Sequence, residues 1–354
     1  MENNTLGSLK RVTLSDIARE ADVSIGTVSL CLNNNKRAAK KTRERIQEIA
    51  ERMGYREDPA LSALVAYRTA KKMHLEYEIL AFLSGWNPED PSHSTLNYRS
   101  SGVEPAKARA ERFGFELREF WIPSNVEEQM RVGRRLYQMG VRGVILAGTP
   151  KDQSTLNLPW HDFATLVLGR SNAPSTLDRC AANFNQGLEL MVSKLRKAGC
   201  RRLGIAATDT KLSWTSYEEM GGLFRAWYME GCGFHLVEPF IECGRVLELE
   251  SVIDWIQKTR VDGIITHDPG LVLQAAEQLG LEVPGQLQVA GLDLPSSSPY
   301  AGIITPDAQV AEVAVDRLRY KLLHRDWGIP KMRIDTMIDC QWSPGITVRE
   351  VSRL

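Results

Sequence analysis

From Tyr77 onward, short apolar runs of β type alternate with amphipathic helices, and nothing else in the chain constrains its fold so tightly. The runs are ILAFL (79–83), FELREF (115–120), GVILAG (143–148), ATLVLG (164–169), RLGIAA (202–207), HLVEPFI (235–241), GIITH (263–267) and LQVAGLD (287–293). Helical spacing recurs near 103–113, 126–139, 185–198, 217–231, 249–259, 270–279 and 307–324. Such alternation predicts parallel sheets with helices on both faces. There are too many elements for one comfortable sheet. Residues 77–345 are therefore expected as two α/β lobes, with a boundary near 171–176 (SNAPST) and the chain crossing back near 303–307.

The segment before Tyr77 is of another kind. Thr13-Leu14-Ser15-Asp16 has the form of a helix N-cap followed by an acid three residues later. Ile17, Ala18 and Ala21 follow on one face, and Asp22-Val23-Ser24 makes a turn whose serine caps a second helix. Val28, Cys31 and Leu32 form that helix's buried stripe, and a third helix is predicted over 41–53, stopped by Gly54. Residues 10–58 thus read as a small all-α head, and 59–76 as a linker in which Pro59 starts a short helix over 60–67. So short a helix needs a partner, another subunit or DNA.

Charge separates the two parts. The chain has 44 Lys+Arg and 44 Asp+Glu, but residues 10–72 hold fourteen basic against eight acidic side chains, a net of +6 that leaves −6 for the rest. A basic head on an acidic body suits a polyanionic partner, although a solvated basic surface has the same composition. Two helices joined by a tight turn form a helix-turn-helix, whose second helix lies in the major groove. That explains the stretch DVSIGTVSLCLN (22–33), which carries hydroxyls and an amide but no Lys or Arg. Ser24, Thr27, Ser29 and Asn33 can donate to phosphates, while Ile25, Gly26 and Leu30 are left to meet bases.

Residues 12–64 resemble the DNA-binding head of the lac repressor family, through D-V-S-x-x-T-V-S-x-x-L-N, then T-R-E-R-I and G-Y. The resemblance implies DNA contacts at Thr13, Ser24, Ile25, Gly26, Thr27, Ser29, Leu30, Asn33, Thr42 and Tyr55, and a palindromic operator read by a homodimer. It also implies a hinge helix whose leucine wedges open a central base step, a role that falls to Leu64. Leu61 and Leu64 equally fit a small apolar seam. Three positions depart from the family: Glu57 stands where proline is usual, Ala39 where a capping serine is frequent, and Leu30 where arginine often reads guanine. Leucine makes no bidentate contact to guanine but can touch a thymine methyl.

The body resembles the same family's two-lobed, periplasmic-binding-protein-like sensor, which implies a small effector in the cleft. The resemblance rests on TLVLGR ending at Arg170, LRKAGCRRLGIAA (195–207), GGLFRAWYMEGC (221–232) and THDPGLVLQAAEQLGLEVPGQLQVAGLD (266–293). It implies ligand contacts at Arg170, Glu219, Asp268 and Asp293, with the aromatics Trp86, Tyr98 and Trp214 as sugar-stacking candidates. Asp293 also fits a turn cap before Pro295, and Asp268 a helix N-cap before Pro269. Glu219 replaces an arginine frequent in sugar-binding relatives, which turns the expectation toward neutral sugars rather than acidic ones.

Composition excludes other classes. Hydrophobic residues make up 43% and charged residues 25%, as in an ordinary soluble protein. No apolar run approaches a membrane span, and MENNTLGSLKRV lacks the apolar stretch of a secretory signal, so a cytoplasmic protein with no membrane partner is expected. The six cysteines form no CxxC pair and the six histidines no cluster at metal-ligand spacing, so no metal, cofactor or catalytic constellation is expected. The leading expectation is a ligand-controlled DNA-binding transcriptional regulator, a repressor responding to a carbohydrate. A solute-binding protein and a nucleobase-responsive regulator are the alternatives.

Overall fold

The structure is a computed structural model describing residues 12–32, 39–55, 79–85, 98–147, 156–170, 176–229 and 233–350. The chain divides into two compact units, residues 1–72 and 73–354.

The first unit contains α1 (Leu14–Glu20), α2 (Ile25–Leu32) and α3 (Lys40–Arg52). Each is too short to persist alone in water. They hold together by burying Ile17, Ala18, Ala21, Val28, Cys31, Ile46 and Ala50 against one another, with Tyr55 packed at the edge. Thr13 closes a capping box with Asp16, as its spacing predicts. Ala39 precedes α3 with no side-chain cap.

In chain order the second unit opens with β1 (Ile79–Ser84), α4 (Tyr98–Arg112), β2 (Glu116–Trp121), α5 (Val126–Gln138), β3 (Gly143–Leu146), β4 (Ala164–Leu168) and β5 (Arg179–Asn183). It continues with α6 (Phe184–Lys197), β6 (Arg202–Thr208), α7 (Asp209–Trp214), α8 (Glu218–Met229), β7 (His235–Leu236), β8 (Phe240–Glu242) and α9 (Leu249–Thr259). The last elements are β9 (Gly263–Thr266), α10 (Pro269–Gln278), β10 (Gln288–Gly291), β11 (Gly302–Ile304), α11 (Asp307–His324), β12 (Asp335–Asp339) and β13 (Gln341–Ser343).

These form two sheets, ordered β12-β5-β4-β3-β1-β2 and β13-β11-β10-β9-β6-β7, with β8 also on β6. Every recorded pairing is parallel except β11 with β13. Helices cover both faces of each sheet. On the first, α11 lays Val310, Ala314 and Leu318 over Leu80, Ile145 and Leu166. On the second, α6 and α8 bury Leu188, Met191 and Leu223 on one side. On the other side α9 and α10 bury Ile256 and Val272. Gly302 lies against Gly291, where a Cβ would fall 2.1 Å from the Gly291 carbonyl oxygen, so that strand pair tolerates no side chain there.

The lobe boundary differs from the expected 171–176. Strand β5 still pairs with β4 and β12 in the first sheet, so the chain leaves that lobe at Asn183–Phe184. It returns between Ile304 and Asp307 and crosses once more between Asp339 and Gln341. The run 235–241 is two short strands, each on β6, and the helix expected near 103–113 begins at Tyr98. No helix among the described residues is long and apolar enough to cross a membrane.

Candidate DNA-reading helix and effector cleft

Helix α2 shows why its polar residues sit where they do. Val28 and Cys31 face inward, which leaves Ser24, Ile25, Gly26 and Leu30 on the outer surface. Ile25 is 51% and Leu30 39% exposed, the two large apolar side chains that a folded head would otherwise bury. The hydroxyls are partly spent within the helix. Ser24 Oγ accepts from the Thr27 amide at 3.1 Å and shares a hydrogen with Thr27 Oγ1 at 2.9 Å. That pair has two hydroxyl protons and uses one internally, so one remains for a phosphate. Thr13 likewise gives its proton to Asp16 Oδ2 at 2.7 Å, so its hydroxyl serves the α1 cap first. Ser29, Thr42 and Tyr55 are half-buried, with Thr42 in the first turn of α3. Asn33 and Leu64 lie outside the described residues.

In the second unit the strand ends bring distant segments together. Arg170, just after β4 in the first lobe, meets Glu218 at the start of α8 in the second, Nε to Oε1 at 2.8 Å. Its Nη1 also donates to Asp335 Oδ2 of β12 at 2.7 Å. Ser216 Oγ donates to the Arg170 carbonyl oxygen at 3.2 Å. The expected ligand arginine is therefore the centre of an ion-pair bridge between lobes, and only 12% of its side chain is exposed. Sequence reasoning missed Glu218 and Asp335, because neither is near Arg170 in the chain. Burial pushes the Glu218 carboxyl up and Arg170 pulls it down, the first effect being larger. Ser216 and Tyr217 both sit at positive φ, 57° and 60°, strain that a non-glycine pair holds only where the surroundings impose it.

Glu219 departs from its expected role. It is fully buried on the inner face of α8, where Thr215 Oγ1 donates to its Oε2. His267 Nε2 lies 3.8 Å from its other oxygen, too far for a hydrogen bond. Burial pushes the Glu219 carboxyl up to about 7 and the His267 imidazole down to about 3. Asp268 is the N-cap of α10, its Oδ1 accepting from the Leu271 amide at 3.1 Å, so the capping alternative describes that oxygen. Asp293 is exposed just past β10 at φ 53°, with Thr305 Oγ1 donating to its Oδ1. Its second oxygen has no partner among the described residues. Tyr98 opens α4 and Trp214 ends α7, but their side chains, like all of Trp86, are outside what is described. A cavity of about 210 Å³ opens at the carboxyl ends of β6 and β9, lined by Thr208, Lys211, Arg245, Val246, His267 and Asp268. Carboxyl ends of parallel strands are where α/β proteins hold ligands. Among the described residues no group of three or more His, Cys, Asp or Glu is placed to hold a metal ion.

The first unit thus carries two short helices joined by a tight turn, the second of them exposed, and the second unit carries two sheets with a cavity at the strand ends of one. Residues 13–58 match the family of bacterial regulatory proteins, lacI family. That match covers the helical head and not the two-lobed body. It is 24% identical to the HTH-type transcriptional regulator GanR of Bacillus subtilis, over 81% of this chain and 84% of the relative. Catabolite control protein A of Priestia megaterium is 21% identical over 80% of this chain and 82% of its own length. Among solved structures, the transcriptional regulator CelR–cellobiose complex covers 95% of this chain and 100% of its own, with TM-score 0.57 and 17% identity. The lac repressor dimer bound to operator and the anti-inducer ONPF covers 96% and 99%, with TM-score 0.56 and 19% identity. At such identities the likeness establishes the fold: a small helical head and a two-lobed body of periplasmic-binding-protein type. The relatives it matches are regulators rather than enzymes.

Proposed function

We propose that this chain is a cytoplasmic repressor that binds a palindromic operator as a homodimer. Its affinity for the operator is set by a small carbohydrate held between the lobes, and it acts by binding, without catalysis. The observation that carries this reading is the Arg170–Glu218 ion pair, 2.8 Å long, between side chains of different lobes. A contact of that kind forms or breaks as lobes close or open, which is the bistable element that a ligand in the cleft needs. In the head, Ile25, Gly26 and Leu30 are the base-facing residues, and Leu30 selects thymine over guanine at its position. Relatives support the ligand class, since a CelR structure carries cellobiose and another regulator of the maltose regulon, MalI of Escherichia coli, matches 65% of this chain. Phe224, Tyr228 and Met229 leave an apolar stripe exposed on α8, a surface suited to a second copy.

The test is in two stages. Operators are selected from random duplex DNA, and the selected duplex is then titrated with protein in the presence of sugars that raise its melting temperature. A palindromic consensus whose binding shifts at least tenfold with one such sugar supports the reading. A consensus that no sugar alters would leave a regulator without a carbohydrate effector.

A further inference from the structure

Resting on the reading of the body as an effector sensor, the structure assigns the cavity at the ends of β6 and β9 to a monosaccharide-sized ligand bearing an anionic group, a carboxylate or a phosphate. This reverses the preference for neutral sugars drawn from Glu219. That residue is buried away from solvent, so its charge does not face a ligand. The charges that do line the cavity are Lys211 and Arg245. Neither has an ion-pair partner among the described residues.

The acids nearest these cations accept hydrogen bonds from the fold, and only one of them lines the cavity. Asp268, the one acid in the lining, accepts the Leu271 amide at Oδ1. Glu242, the register partner of Thr208, accepts the Glu248 amide at 2.7 Å. Asp209, two residues before Lys211, takes the Tyr217 hydroxyl at 2.5 Å. The lining therefore carries two cations against one carboxylate, an excess of positive charge for an anionic ligand to neutralise, and charge-assisted hydrogen bonds are the strong ones.

A second observation lies at the wall of the cavity. His267 lines the cavity, and its Nδ1 is buried with no hydrogen-bond partner among the described residues. Native proteins seldom leave such an atom unpaired. Lys211 depresses the histidine further, beyond the effect of burial, so the imidazole stays neutral and offers a hydrogen bond rather than a third charge. The Thr208 hydroxyl is beside it and accepts from the Lys211 amide at 3.3 Å, leaving its own proton to donate. Size narrows the class. At about 210 Å³ the cavity is below the roughly 300–1,000 Å³ of drug-sized sites, which admits one sugar ring and not a chain of them.

The experiment uses the full chain and calorimetric titration with matched sets: galactose, galacturonate and galactose 6-phosphate, then glucose, glucuronate and glucose 6-phosphate. In at least one set, an anionic member should bind about tenfold or more tighter than its neutral parent. Lys211→Met and Arg245→Met should each weaken that anion about tenfold, while Arg245→Lys restores most of the loss. Each variant should keep the parent's far-ultraviolet circular dichroism and a cooperative melting transition, which shows that the body has folded. The stronger anion of a set distinguishes a carboxylate from a phosphate site. Neutral members binding as well as the anions, with both methionine variants indifferent, would overturn the anionic assignment and leave the carbohydrate reading standing. No binding by any member, with operator binding intact, would remove both.

Discussion

The head and the body of this protein use charge in opposite ways. In the head, the ion pairs lie on the surface: Arg52 reaches Glu20 at 2.8 Å with both side chains more than half exposed. Such pairs add little stability, and the cations remain available to a polyanion. In the body, charges are taken inside and matched. Lys321 is buried between Asp178 at 2.7 Å and Asp326 at 2.8 Å, and Asp178 also accepts the Ile334 amide at 2.9 Å. The head is held by seven buried apolar residues of its own short helices. The body spends several of its polar groups joining segments far apart in the chain. A reading surface is thus local and can be left open, whereas a cleft is assembled by tertiary contacts that occupy many of the residues lining it.

The widest gap between the two regions should appear when one partner is removed. Lys321→Met leaves the Asp178 carboxylate buried without its cation, and breaking such a pair costs about 3–5 kcal/mol. Arg52→Ala in the head should cost no more than about 1 kcal/mol. Urea unfolding of both variants checks the contrast. Similar losses would mean that the body's buried charges are no more structural than the head's.

Arg170→Ala comes next. If Arg170 is a bridge between lobes, its loss should destabilise the ligand-free body by about 2–3 kcal/mol, less than a fully buried pair because part of the site reaches solvent. A cycle with Glu218→Ala should show a coupling above about 1 kcal/mol. An arginine waiting for a ligand would give neither effect, and ligand-free unfolding curves would superimpose.

Much of this was legible beforehand, and the exceptions have physical causes. The runs at 79–83, 143–148, 164–169, 202–207 and 263–267 each hold a strand of a sheet interior, where both faces are covered and the strand is mostly apolar. The runs Arg179–Asn183, Gly302–Ile304, Asp335–Asp339 and Gln341–Ser343 escaped notice. They are short, and two of them, β12 and β13, are sheet edges. Missing β5 and β12 moved the lobe boundary. The capping box at Thr13 and the stripe at Val28 and Cys31 are local patterns, so the head was readable to within a residue or two. The cleft was not. Arg170 finds Glu218 and Asp335 only because two sheets meet, and no spacing rule joins them.

Acid and base inside the body should oppose one another in a way that the exposed head cannot. Burial lifts Glu219 from 4.5 to about 7, so the folded protein keeps a proton that the unfolded chain releases, and stability falls as pH rises across that window. His267 is lowered from 6.5 to about 3, so the folded protein refuses a proton that the unfolded chain takes up, and stability falls as pH drops across that range. Between 4.5 and 6.5 the two trends offset. Glu219→Gln removes the first alone, so the melting temperature of the variant should climb with pH there while the parent stays nearly level. A variant that tracks its parent would show that Glu219 holds no proton in the folded state.

Leu30 sets the smallest stability effect against a clear functional one. Its side chain is exposed on α2 and outside the head's buried cluster, so Leu30→Ala should move stability by no more than about 0.5 kcal/mol. Val28→Ala, two positions away and fully buried, should cost more than about 1 kcal/mol by opening a cavity. On DNA the order reverses in kind. Losing Leu30 removes an apolar surface for a thymine methyl, so selected operators should lose preference at one base of each half-site and keep the rest. Leu30→Arg should replace that preference with guanine, through the bidentate contact that leucine cannot make. An unchanged consensus in both variants would mean that α2 reads its groove without Leu30, and that the exposed leucine serves another contact.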